Sequence, residues 1–261
     1  MVRRELEYFF GALRFFTRLP VPAWVGHSTE GLNRASRYFS AVGLVVGAVA
    51  ALVFWLASLG WPTELAVLAS MGATLWATGA FHEDGLSDMT DGFGGGWTKE
   101  KVLTIMKDSR VGNYGVVVLW CVLTGKFLAL LLLAQRAPVA WLVPAVLVAG
   151  HSLSRFCSTV LLRLMDYVRE DALSKAKPLA TRMGNGEMAL AALFALLGLA
   201  PLLFLLPPAP ALRGCLLAAL GTFWVARLMR RRLGGYTGDC LGATQQIAEL
   251  CFYLGMLWTS I

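Results

Sequence analysis

Charge is what this chain has little of. Only 15% of its 261 residues are Asp, Glu, Lys or Arg, whereas 57% are hydrophobic and the mean hydropathy is +0.63. Soluble domains carry about 25% charged residues, so the composition excludes an ordinary water-soluble globule and places the chain in a lipid bilayer. Acids are the scarcer sign, 16 against 23 basic residues. The five cysteines (Cys121, Cys157, Cys215, Cys240, Cys251) have no paired spacing and fall mostly in apolar runs, which excludes a disulfide framework or a cysteine metal site. A secretory signal peptide is not expected, because charges interrupt the first apolar run and no small-residue cleavage site follows it. No separate soluble basic segment exists, so nucleic acid is not expected as a partner.

What is there in abundance is apolar sequence in lengths that approach the roughly 20 residues needed to cross a bilayer. The runs predict an all-α, polytopic transmembrane bundle of about seven spans, near 38–60, 62–81, 114–134, 138–160, 187–207, 211–229 and 243–261. All of 1–261 is expected to form one integral membrane domain. In residues 1–20, Leu6, Phe9, Phe10, Leu13 and Phe16 follow a helical period while Glu7, Arg14 and Arg18 share another face. That pattern predicts an amphipathic interfacial helix. Segments 1–37, 82–113, 161–186 and 230–242 hold 18 of the 23 basic residues. By the positive-inside rule these are cytoplasmic, and the carboxyl terminus lies outside.

The acids are concentrated where the apolar pattern breaks. Glu83, Asp84, Asp88 and Asp91 fall within nine positions and are followed by Gly92 and Gly94 to Gly96. On a helix Asp84, Asp88 and Asp91 lie within roughly 60° of one another, with Glu83 about 100° away. Adjacent carboxylates repel unless a cation lies among them or some stay protonated. An all-oxygen set suits a hard ion such as Mg²⁺. Glycines let backbone N–H groups approach an anion. Metal beside a glycine-rich loop points to a pyrophosphate substrate; the bland alternative is a solvated acidic helix end.

Further polar motifs fall in the same charged segments. Lys107 and Arg110 are three apart and can face one anion, with Asn113 close behind, although basic residues before a span are equally ordinary anchors. Lys175 and Lys177 are candidates for a second phosphate. Asp239, among glycines at the mouth of the last span, is a candidate to complete the metal shell. Within the spans, Gln245, Gln246 and Glu249 share one face, as do His151, Ser154, Arg155 and Ser158; bonding between helices explains these as well as substrate contact does. Lys126 lies alone within a span with no evident partner.

These residues carry a resemblance. The run His82–Gly96, then Ile105–Arg110 with Gly112, Tyr114 and Gly115, then Gly238, Asp239, Leu241 and Gly242, with Phe15–Pro22 as an opening segment, closely resembles the cobalamin synthase family. The resemblance implies a polytopic enzyme of the bacterial inner membrane that joins adenosylcobinamide-GDP to α-ribazole, or its 5′-phosphate, releasing GMP, with Mg²⁺ required. On that reading Glu83, Asp84, Asp88, Asp91 and Asp239 hold metal, and one of Asp91 and Asp239 accepts the hydroxyl proton. Gly94, Gly95, Gly96, Lys107 and Arg110 neutralise pyrophosphate. Self-association is left open. A CDP-alcohol phosphotransferase also uses clustered aspartates, but its Asp-Gly-x-x-Ala-Arg block is missing here. A transporter would place its polar groups near mid-membrane rather than at one surface.

Overall fold

A computed structural model describes residues 2–26, 29–168 and 183–258. Every named element there is helical: α1 (Val2–Phe16), α2 (Thr29–Ala35), α3 (Phe39–Ser58), α4 (Thr63–Thr78), α5 (Phe81–Gly95), α6 (Lys99–Ile105), α7 (Asn113–Gln135), α8 (Leu142–Leu164), α9 (Asn185–Leu205), α10 (Pro208–Arg232) and α11 (Gly238–Leu257). A short 3-10 turn, Ser36–Tyr38, leads into α3. Five helices are long and apolar enough to cross a membrane, Asn33–Ser58, α7, α8, α9 and α10, and the α4–α5 pair raises the number to six if it counts as one span.

Two of the seven expected spans differ. The run at 62–81 becomes α4, which ends where Gly79 (φ +64°) and Ala80 (φ +57°) both enter the left-handed region, and α5 leaves at 85° to it. Two successive left-handed residues cannot continue a right-handed helix. Arg18 braces this corner: its N–H donates to the Ala77 carbonyl (2.7 Å), and its guanidinium fills the space beside Gly79. The run at 243–261 becomes α11, whose first turn and interior carry Asp239, Gln245, Gln246 and Glu249. These polar groups keep it below the apolarity of the five spans, and most of its side chains are buried by neighbouring helices.

Close helix contact is set by small residues. Gly43 and Gly47 form a G-x-x-x-G face on α3 against α8, where an added Cβ would lie 2.4 Å from the His151 oxygen and 2.6 Å from Val148 Cα, respectively. In lipid, where apolar burial does not favour helix pairing, such backbone approach and its van der Waals contacts hold helices together. The apolar core forms two clusters, one around Phe16, Leu86, Val102 and Met229, the other around Phe54, Leu130, Val146 and Phe252. Lys126 lies between them on α7, and Gln245 and Gln246 lie between them on α11.

The described parts of the charged segments meet at one end of the bundle. Arg37 bonds Glu5 (3.3 Å) and Glu187 (2.6 Å), joining α1 to the start of α9. Phe16 stacks on His82, with ring centres 5.4 Å apart. Tyr236 N donates to the Asp166 oxygen, and Val168 N to the Tyr236 oxygen, as an isolated parallel bridge.

Candidate active site

The acidic run is helix α5, as its spacing predicts, and its carboxylates part company. Asp84 is exposed and Asp88 half-buried, one turn apart on the same face. Gly85 lets the first turn of α11 come close, since an added Cβ there would lie 2.8 Å from the Asp239 oxygen and 3.0 Å from its Cα. Asp239 is half-buried at that contact. The structure thus brings the helix turns carrying Asp84, Asp88 and Asp239 together from opposite ends of the sequence. Thr237 caps α11 by accepting from Cys240 N (3.3 Å), and the positive end of the helix dipole favours the Asp239 carboxylate in its first turn. Among the described residues, no three His, Cys, Asp or Glu side chains stand as a metal-holding group.

Asp91 has another task. Its two oxygens accept from Gly112 N (2.7 Å) and Gly115 N (2.9 Å). These N–H groups open α7, whose N-cap residue Gly112 has no side chain with which to cap it. Asp91 therefore caps α7 from α5, satisfying donors that a helix start leaves unbonded. A Cβ on Gly112 would lie 2.4 Å from Asp91 Oδ1, and one on Gly115 2.5 Å from Oδ2, so both glycines make room for this carboxylate. Glu83 turns inward, where its Oε1 accepts from Gln246 Nε2 (2.8 Å) while its Oε2 is buried with no hydrogen-bond partner.

The glycines at the end of α5 pack against their neighbours. Gly94 faces the Tyr114 ring, where a Cβ would come within 2.6 Å, and Gly95 faces Ile105. Gly96 ends the helix, its N–H already donated to the Gly92 oxygen (2.9 Å) and its carbonyl accepting from Arg232. The Arg232 guanidinium also lies over the Phe93 ring, 5.7 Å from its centre. Lys107 and Asn113 are exposed around the same corner, after α6 and at the start of α7. Arg110 is exposed and turned onto Asp108, bonding it through Nη2 (2.6 Å) and Nε (3.0 Å). Those bonds hold the Asp108 carboxyl down at about 2 and raise the Arg110 guanidinium further. Lys175 and Lys177 lie outside the described residues.

Below this face is a polar network that periodicity could place on helix faces but could not connect. Lys126 Nζ lies 3.1 Å from Glu249 Oε1 and donates to Gln246 Oε1 (2.7 Å). Gln245 Nε2 donates to Glu249 Oε2 (2.6 Å) and to Ser154 Oγ (3.0 Å). Tyr253 donates to Glu249 Oε1 (3.1 Å), and His151 Nδ1 lies 3.3 Å from Oε2. The network surrounds a cavity of about 20 Å³, room for about one water. It ties α5, α7, α8 and α11 together beneath the acids. No single motif signals it, because its members come from four helices. Arg18 and Arg232 were likewise visible in the sequence only as basic residues.

Residues 8–257 match the family model described as cobalamin-5-phosphate synthase. The chain belongs to the cobalamin-5-phosphate synthase family. Curated relatives agree over nearly the full length. The adenosylcobinamide-GDP ribazoletransferase of Shewanella frigidimarina (strain NCIMB 400) is 48% identical over 261 residues, covering 97% of this chain and 95% of the relative. That of Shewanella amazonensis (strain ATCC BAA-1098 / SB2B) is 49% identical over 260 residues, covering 98% and 96%, and that of Leptothrix cholodnii (strain ATCC 51168 / LMG 8142 / SP-6) is 48% identical over 257, covering 97% and 96%. No solved structure matches the chain. The α5, α7 and α11 contacts described above all fall within the part that matches the synthase family.

Proposed function

We propose that this chain joins adenosylcobinamide-GDP to α-ribazole, or to α-ribazole 5′-phosphate, giving adenosylcobalamin or its 5′-phosphate and releasing GMP. The observation that carries this reading is the full-length likeness to relatives bearing that activity in their names, over a chain whose acids and glycines gather at one end of a helical bundle. In the reaction the 5′-hydroxyl of the ribazole attacks the phosphorus attached to cobinamide. An O–P bond forms, the bond to the GMP phosphate breaks, and the hydroxyl proton goes to a carboxylate. That proton is assigned to Asp239, in the first turn of α11, whose backbone lies against Gly85 of the acidic helix. Lys107 lies on the exposed corner where it can meet the pyrophosphate, and Arg110 can exchange Asp108 for it. Lys175 and Lys177 are assigned a supporting phosphate contact.

The donor set on this face is all oxygen, which suits Mg²⁺. Asp84, Asp88 and Asp239 are the residues that would hold it, while Glu83 and Asp91 act through Gln246 and α7. When bound, Mg²⁺ supplies positive charge to phosphate oxygens as the pyrophosphate bond breaks.

The surrounding topology is a single integral membrane domain with seven crossings in the bacterial inner membrane. In it α4 is the second crossing, α5 turns across the cytoplasmic face, and α11 is a seventh crossing sheltered by its neighbours. The amino terminus is cytoplasmic, with α1 as an amphipathic interfacial helix, and the carboxyl terminus is periplasmic. Basic residues at the α5 end support this orientation. Stacked Trp55 and Trp141, exposed at the opposite end of α3 and α8, fit the other interface. Purified protein in lipid should release GMP from adenosylcobinamide-GDP only when α-ribazole and Mg²⁺ are both supplied. Turnover undiminished by chelation would remove the metal from the account.

A further inference from the structure

Between α8 and α10 an apolar groove of about 550 Å³ opens on the outside of the bundle. Its walls are Phe156, Val160 and Leu164 of α8 and Cys215, Ala219 and Phe223 of α10. At the charged end of the molecule the groove finishes against Arg227, Arg230 and Arg231. Their spacing of three and four residues puts all three on one face of α10, and all three are exposed. Among the described residues none of the three guanidinium groups makes an ion pair or hydrogen bond. Arg163, the neighbouring cation on α8, is committed instead to the Met183 carbonyl and to Asn185 Oδ1.

We propose that this groove is a binding site for an anionic phospholipid of the surrounding bilayer. An acyl chain lies between α8 and α10, and the phosphate headgroup is held by Arg227, Arg230 and Arg231. The inference rests on the reading that α10 crosses the membrane; the site is separate from the α5–α11 face.

Length and charge both select this occupant. From Cys215 to Ala226 the wall rises about 17 Å at 1.5 Å per residue, close to half of a hydrocarbon core of about 30 Å. The groove therefore spans one leaflet, and its cations lie at headgroup height. A phosphodiester offers several acceptor oxygens to guanidinium donors. A zwitterionic headgroup carries a cation of its own that offsets part of this attraction. A helix from a second copy would fill the apolar wall but would leave three arginines unmatched unless it brought acids to the same height.

Native mass spectrometry of the full chain, equilibrated with equal amounts of phosphatidylglycerol and phosphatidylcholine, tests the proposal. The wild type should retain one phosphatidylglycerol with about tenfold preference. The variant R227Q/R230Q/R231Q should lose that preference, and Ala219→Phe, which narrows the groove, should lower retention of both lipids. Equal retention of the two lipids by wild type, or an undiminished preference in the arginine variant, overturns the site. So does a dimer that Ala219→Phe dissociates. Failure of the wild type to partition into bilayers would instead contradict the membrane reading on which the site depends.

Discussion

At the residue scale, the distinctive finding is that neighbouring carboxylates on α5 have different work. Asp91 bonds two N–H groups that begin α7, whereas Asp84 is exposed and Asp88 half-buried on the helix that meets the turn carrying Asp239. Removing a buried acceptor leaves its donors unsatisfied, at about 1–3 kcal/mol. Asp91→Ala should therefore lower the thermal midpoint in detergent, with Asp91→Asn intermediate, while Asp84→Asn leaves the midpoint unchanged. A midpoint for Asp91→Ala equal to wild type would contradict the capping role. The Asp108 carboxyl makes a second residue-scale prediction. Its folded value of about 2 lies below the ordinary 3.9, so its pairing contribution is fully present above pH 3.9 and is lost as pH falls through about 2. Carboxyl chemical shifts followed by NMR should show that low midpoint, and Arg110→Gln should return it toward 3.9. The helical spacing of the acids was legible in the sequence. Their division of labour was not, because it depends on where Gly112, Gly115 and Gln246 arrive from other helices.

At the scale of elements, the corner between α4 and α5 decides which way the acids face. Left-handed backbone costs a non-glycine residue about 1–2 kcal/mol, and Gly79 also has the Arg18 guanidinium where a Cβ would go. Gly79→Ala should therefore destabilise the protein by about 1–2 kcal/mol, measured by reversible unfolding in mixed micelles. No loss in that variant would mean the corner relaxes without cost. Apolar runs foretold most of the helices because a length requirement and a composition requirement coincide in them. They marked where the apolar run ends, near 81, but could not foretell the 85° bend there, which is set by the backbone of two residues. The same runs overstate the independence of α11, whose polar residues are tolerated because neighbouring helices bury them.

At the scale of the whole molecule, the buried network around Glu249 joins four helices between the two apolar clusters. Breaking a buried pair by removing one partner strands the other charge, typically at 3–5 kcal/mol. Lys126→Met and Glu249→Gln should each destabilise strongly, and the double variant should recover part of the loss in a double-mutant cycle. Strict additivity would show that the pair at 3.1 Å is not coupled. Faces shared by Gln245, Gln246 and Glu249 were readable from spacing alone, but Lys126 acquires a partner only when α7 and α11 pack. The central claim is that this bundle exists to hold the Asp84, Asp88 and Asp239 face for transfer between a nucleotide pyrophosphate and a ribazole hydroxyl. GMP release by purified protein in lipid, supplied with adenosylcobinamide-GDP, α-ribazole and Mg²⁺, tests it most directly. The account predicts turnover by wild type and a loss of about a hundredfold or more in Asp84→Asn and Asp88→Asn, with the unfolding midpoint of the exposed-site variant Asp84→Asn unchanged. Wild type that releases no GMP, or an Asp84→Asn variant that turns over at the wild-type rate, would contradict it.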